Sequence, residues 1–393
     1  MEAALRLRLL GLAPVVLMFL GCLGVDAVGD TAGTEVPNCG SDALVLGSEG
    51  AFTHETIDFE FEWGNDVGVS VGPMVTIAVP SDTSSIAATV EVRGEETGFA
   101  LVALDDKTFI DAARPDETDG AWWSAPYYHW GGLGGTVVLP ITPGTTPDGE
   151  CLVLQPASLS DLEGRSGTLH LVSRRFDPGQ GQVDLNIVIV GDTALYQEEL
   201  DAALTRMDDV WTGDGGPRVG QVNLYSTQGS GFIRYNDSNE LRATPIGVAS
   251  GQAMNIFIIQ DYSDEPGTLG EAGGIPGPVG LFEMDGAGVI VAVDGHIWGN
   301  DLDTQTMGET LAHEVGHQMG LFHTTEDDGS RTESLQDTPA CPASADDGDG
   351  YFSAEECSEY DGGNFMFWVA GNLAQDQLSE SQAMVLSRSP ITQ

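Results

Sequence analysis

The sequence predicts two folded parts: an all-β, sandwich-like domain over residues 40–176, then an α+β domain over 182–393, a mixed twisted sheet carrying helices. Three observations predict this. From about residue 43 to 175, short runs of β-branched and aromatic residues alternate with Gly, Pro, Asp and Ser clusters, and no long helical period intervenes. Beyond Asp177-Pro178-Gly179-Gln180-Gly181, which reads as a hinge, strand-like runs alternate with segments of helical spacing. A chain of 393 residues is also too long for one typical domain and suits two.

The N-terminus sets the compartment. Arg6 and Arg8 precede an apolar stretch, Leu9 to Leu20, broken by Pro14. That stretch is short for a membrane span and fits the core of an export signal over residues 1–29. Two cleavage readings stand. Phe19-Leu20-Gly21-Cys22 resembles a bacterial lipobox, in which Cys22 becomes the lipidated first residue; ordinary cleavage after Ala27-Val28-Gly29 is the other. The chain is accordingly expected to be secreted or a bacterial cell-surface lipoprotein, touching a membrane only through a lipid on Cys22. Setting Cys22 aside leaves Cys39, Cys151, Cys341 and Cys357, an even number that suits two disulfides in an oxidising compartment. Pairing Cys39 with Cys151 and Cys341 with Cys357 keeps each bridge within one domain, although four cysteines allow three connectivities.

Within the β part the expected strands are 56–63, 74–79, 89–92, 99–104, 136–141, 151–155 and 168–173. Trp122, Trp123, Tyr127, Tyr128 and Trp130 crowd one segment, read as a large packing loop or a stacking platform. In the second part, Leu185 to Val190 suits a buried strand, and Leu200, Leu204, Met207 and Trp211 recur at helical spacing. Strands are expected again at 219–225, 255–260 and 289–293, with an irregular edge at 270–280. With 14 Lys+Arg against 61 Asp+Glu the net charge is −47. Repulsion from phosphates then excludes a nucleic-acid partner.

The chemistry concentrates in His313-Glu314-Val315-Gly316-His317-Gln318-Met319-Gly320-Leu321-Phe322-His323. Thr306-Met307-Gly308-Glu309 has the spacing of a capping box and would start a helix. His313 and His317, four apart, share one face of that helix and can hold one zinc. Glu314 stands beside the first ligand, where its carboxylate reaches water rather than the metal. Gly320 can take a left-handed turn that ends the helix and swings His323 back as the third ligand.

This segment resembles the long motif of the metzincins, zinc endopeptidases with a methionine in a tight turn beneath the metal. Asn364-Phe365-Met366-Phe367-Trp368 supplies Met366 at a suitable distance. Asp337-Thr338-Pro339, the intervening Cys pair and a final helix near Ser379-Glu380-Ser381-Gln382 bring the resemblance closest to the pappalysin-like group. It covers about residues 183–390 and not the β part. It implies a zinc-dependent endopeptidase acting on extracellular protein or peptide. Water acidified at a zinc on His313, His317 and His323 would be the nucleophile, Glu314 the general base, and Met366 a floor rather than a ligand. The substrate would lie along the sheet edge as an added strand. Where the family continues Met-Asp-Tyr, this chain has Met366-Phe367-Trp368, so no tyrosine role carries over. A surface-binding protein with a retired peptidase domain is the alternative.

Asp347, Asp349 and Glu356 match positions 3, 5 and 12 of a calcium loop, with Ala345 at position 1 where an acid is expected. Calcium is thus a second expected ion, against a merely solvated acidic loop. His54, His129 and His170 fall in the β part, with nothing to connect them to zinc.

Overall fold

A computed structural model of the chain describes residues 38–47, 50–64, 69–112, 135–140, 145–176, 179–245 and 252–393. The export signal, Cys22 and the aromatic segment around residues 122–130 lie outside the described residues. The described residues belong to one compact unit.

The first eleven strands are β1 (Leu44–Val45), β2 (Phe52–Glu60), β3 (Glu62–Gly64), β4 (Val69–Val71), β5 (Val75–Ala78) and β6 (Thr83–Glu91), then β7 (Gly98–Leu104), β8 (Lys107–Asp111), β9 (Gly135–Leu139), β10 (Cys151–Ser158) and β11 (Ser166–Arg175). They form two sheets. One runs β1-β5-β10-β4-β3 with β7 and β8 attached through β10, and the other runs β2-β11-β6-β9. Side chains alternate across each strand, so one face of both sheets meets in a common core of Phe59, Ile77, Val90, Val102, Leu154 and Leu171. Part of the other face of the four-stranded sheet is buried too: Ala87, Val138 and Val172 belong to the core of the following α+β part. This explains why β6 is buried along nearly its whole length instead of alternating.

That α+β part is a five-stranded sheet ordered β13-β12-β15-β18-β17. Its strands are β12 (Gln182–Ile189), β13 (Arg218–Ser226), β15 (Ala253–Ile259), β17 (Gly270–Ala272) and β18 (Val289–Ala292), with the pairs β14 (Phe232–Ile233) and β16 (Asp261–Tyr262), and β19 (Ile297–Trp298) and β20 (Asp301–Leu302), beside it. β13, β12, β15 and β18 are parallel, while β17 runs antiparallel along the edge. The central strands are largely apolar because both faces are covered, and the buried Asn186 of β12 and Asn255 of β15 bond each other at 3.0 Å. Leu185 and Ile187 face α1 (Gln197–Gly213) and α3 (Thr304–Met319), while Val188, Phe257 and Ile290 face a smaller core on the other side. α1 contributes Leu200, Leu204, Met207 and Trp211, the residues whose spacing predicts it. α2 (Ser238–Arg242) is a short turn of helix, and α4 (Glu380–Ser387) closes the chain with Ser379 and Gln382 in a capping box. Disulfides join Cys39 to Cys151 and Cys341 to Cys357.

α4 is tied down by a buried polar network. The Gln382 amide donates to both carboxylate oxygens of Glu333, at 3.2 and 3.3 Å, and accepts from Asn364 at 2.9 Å. Burial pushes the Glu333 carboxyl up to about 7, and the nearby Asp337 and Asp361 add to the shift. The folded state therefore binds this proton more tightly than the unfolded chain. The stabilisation is complete below the ordinary carboxylate value of 4.5 and is lost as pH rises through about 7. Urea unfolding of the wild type is expected to lose up to roughly 3 kcal/mol from this source between pH 4.5 and 8. Glu333→Gln should flatten that slope; an identical slope in both proteins would contradict the assignment.

Candidate metal centre

α3 starts earlier than the capping-box spacing implies. Asp303 is the N-cap, its carboxylate accepting from the Gln305 and Thr306 N–H groups at 3.1 Å each. Glu309 does not fold back to close a box at Thr306, because Arg206 of α1 holds its carboxylate, with Nε at 3.0 Å. At the other end Gly320 takes φ 114°, a left-handed conformation that an L side chain resists. Its N–H donates to the His317 carbonyl and that of Leu321 to the Gly316 carbonyl, each at 2.9 Å. This is the Schellman arrangement, and it turns the chain so that His323 comes back to the helix face.

His313, His317 and His323 are thereby brought together, one nitrogen of each lying within 4.8 Å of the others. The opposite nitrogen of each ring is already committed. His313 Nδ1 meets the Phe365 carbonyl and His317 Nδ1 the Leu321 carbonyl, both at 2.7 Å; His323 Nδ1 meets the Glu326 carboxylate at 2.9 Å. Carbonyls and carboxylates only accept, so each Nδ1 carries its ring's proton and each Nε2 presents a bare lone pair. With all three rings neutral, His317 Nε2 and His323 Nε2 stand 3.0 Å apart with no proton to share. Converging lone pairs repel unless a cation lies between them. Tetrahedral zinc with Zn–N near 2.05 Å would space its ligands at about 3.3 Å, so the donor set fits that ion. Burial drives the His313 imidazole down to about 3, helped by His323, and drives His317 well below its ordinary value. Both are then neutral ligands at neutral pH.

Glu314, next in sequence, is 8% exposed. Its side chain packs against the edge strand β17: a Cβ at Gly270 would come within 2.7 Å of Glu314 Cγ, so only glycine fits there. The Ala272 N–H donates to its carboxylate. Burial pushes the Glu314 carboxyl up to about 8, with Glu271 adding and Arg242 opposing. A divalent cation on the neighbouring histidines acts in the lowering direction.

Three residues that hold this edge escape sequence reasoning. Arg242, whose side chain is fully buried, bonds the Glu271 carboxylate at 3.3 Å and the Glu271 carbonyl at 3.2 Å. The Tyr262 hydroxyl donates to the other Glu271 oxygen at 3.2 Å. The only signal in the sequence is the glycine at position 270, in a run that reads as an irregular edge.

Met366 is fully buried, its sulfur 2.7 Å from where a Cβ on Gly316 would stand. Its segment lies against α3 and contributes the Phe365 carbonyl to His313. The Trp368 indole N–H is spent on the Phe352 carbonyl. His296 is buried, between the Ala292 carbonyl and the Thr310 hydroxyl. At the expected calcium loop, Asp346, Asp347 and Asp349 come together. Glu356 stands outside this group; its oxygens accept from the Asp347 N–H and from the Ser353 N–H and hydroxyl.

No protein-family model matches the chain, and no curated protein does. Among solved structures it is similar to metalloproteinase-II from Bacteroides fragilis, at 13% identity and a TM-score of 0.33, over 53% of each chain. It is also similar to protein YxiM from Bacillus subtilis, at 8% identity and a TM-score of 0.16, over 53% of this chain and 56% of that one. The IMPa metallopeptidase from Pseudomonas aeruginosa shares 12% identity at a TM-score of 0.15, over 72% of this chain and 30% of that one. The chain thus spans about half the length of the first two and less of the third. TM-scores this low do not establish a shared fold.

Glu326 anchors one ring through a charge-assisted bond, and such partners typically carry 10–100-fold in metal affinity. Glu326→Gln is expected to weaken zinc binding by that factor in competition with a chelator. Unchanged affinity would mean that His323 is oriented by other groups.

Proposed function

We propose that this chain is an exported, zinc-dependent endopeptidase that hydrolyses peptide bonds of extracellular protein or peptide substrates. The observation that carries this reading is the convergence of three bare Nε2 lone pairs beside a buried carboxylate on a sheet edge. His313, His317 and His323 would hold the ion. When bound, zinc supplies Lewis acidity, polarising a carbonyl and easing deprotonation of water.

The chain's own residues do the rest. Glu314 takes the proton of the attacking water and returns it to the leaving amine, the shuttle a glutamate at this position can perform. The outer edge of β17, away from β18, would take an extended substrate as a further strand. Gly270 keeps that edge close to Glu314, and the Arg242–Glu271–Tyr262 contacts keep it in place. Met366 packs under the helix as a floor. The two disulfides suit an oxidising exterior. Among the described residues no helix is long and apolar enough to cross a membrane. Anchoring through a lipid on Cys22 remains part of this proposal, as does the division into a β domain over 40–176 and a peptidase domain over 182–393.

One observation favours the binding-protein alternative: the Trp368 N–H is already engaged, so it does not substitute for the tyrosine of the resembling family. The test is cleavage of an unfolded protein by the purified chain, beside Glu314→Gln at equal zinc content. The proposal expects cutting by the wild type and a loss of at least about 100-fold in the variant. Zinc in both proteins and cutting by neither would support the retired-peptidase reading instead.

A further inference from the structure

On the four-stranded sheet, strand register brings two histidines together outside the α3 centre. β11 pairs with β2 so that His170 lies opposite Thr56 and Val172 opposite His54, making the histidines diagonal neighbours on one face. On the other side of β11, Thr168 lies opposite Glu91 of β6, which puts Glu91 diagonal to His170. The side chains use this placement. His170 Nε2 meets Glu91 Oε2 at 2.9 Å, and His170 Nδ1 faces His54 Nε2 at 3.1 Å.

The Glu91 carboxylate only accepts, so the His170 proton resides on Nε2 and Nδ1 offers a lone pair toward His54. His54 is exposed on an edge strand, so its proton can move to Nδ1, where water accepts it, when an ion takes the Nε2 lone pair. The 3.1 Å nitrogen separation is close to the 3.0 Å of His317 and His323 in the first centre; the rings here are 5.3 Å apart at 22°, where that pair is 4.6 Å apart at 65°. Glu91 stands to His170 as Glu326 stands to His323, a carboxylate fixing the tautomer of a ligand ring. Asp58, on the same face, adds negative charge and is held there by the Thr168 hydroxyl at 3.0 Å.

We propose that His54 and His170 form a second metal site, distinct from the one on α3, for an imidazole-seeking divalent ion of the Zn2+, Ni2+ or Cu2+ class, with Glu91 orienting His170. Two imidazoles supply adjacent positions and water completes the shell, because His54 opens to solvent.

The experiment is calorimetric titration of Ni2+ into the full chain loaded with a single equivalent of Zn2+, which the three-histidine centre takes first, at pH 7.5. The expected result is one equivalent with a Kd on the order of micromolar. His54→Gln and His170→Gln should each weaken it at least about tenfold, and Glu91→Gln by about tenfold through loss of the orienting carboxylate. Glu163→Gln, an exposed acidic control, should leave it unchanged. His54 is at the surface, so the His54→Gln protein should keep the wild-type Tm. No Ni2+ equivalent in the wild type, or one that His54→Gln leaves intact, would overturn the proposal and reduce the pair to an imidazole–imidazole hydrogen bond. The readout is metal affinity alone and does not depend on peptidase activity.

Discussion

The arrangement around α3 depends on one constraint: the Nδ1 proton of each of three imidazoles is claimed by an acceptor, which forces three Nε2 lone pairs toward one point. The acceptors come from three separate places. Leu321 follows the Gly320 turn, Phe365 belongs to the segment beneath the helix, and Glu326 lies three residues beyond His323. Each of the surrounding features serves that convergence. The Schellman turn brings His323 back, the close packing of Met366 on Gly316 fixes where the Phe365 carbonyl stands, and the Gln382–Asn364–Glu333 network ties that segment to α4.

The sheet contributes a second constraint at its edge. β17 is only three residues long, yet Arg242 and Tyr262 hold its central Glu271 from both carboxylate oxygens. Gly270 and Ala272 are consequently pressed onto Glu314. The β part is bound into this construction as well, since Ala87, Val138 and Val172 fill the same core as Met307, Leu311 and Val315 of α3. The surface on which the helix rests is thus partly built by strands that precede it by more than a hundred residues.

Much of this was legible in the sequence wherever a local period carries the signal. Ligands at four-residue spacing belong on one helix face, and the apolar runs of β12, β15 and β18 are long enough to declare buried strands. The Gly320 turn could be read from the glycine alone. What could not be read has a different physical origin. Asp303 outcompetes the expected start at Thr306 because Arg206, a hundred residues earlier, draws Glu309 away. β17 lacks the β-branched residues that mark strands, because Glu314 requires a glycine at position 270. Arg242 and Glu271, like His54 and His170, meet only after the chain has folded, and no spacing in the sequence announces such pairs.

The central claim is that one ion sits among the three Nε2 atoms. X-ray absorption at the zinc K-edge of the purified chain tests it most directly, with His54→Gln as the background so that only the α3 centre is read. The account predicts one zinc per chain in a four-coordinate shell of three imidazole nitrogens and one oxygen, at about 2.0–2.1 Å. An all-oxygen shell, a shell containing sulfur, or no bound zinc would contradict it.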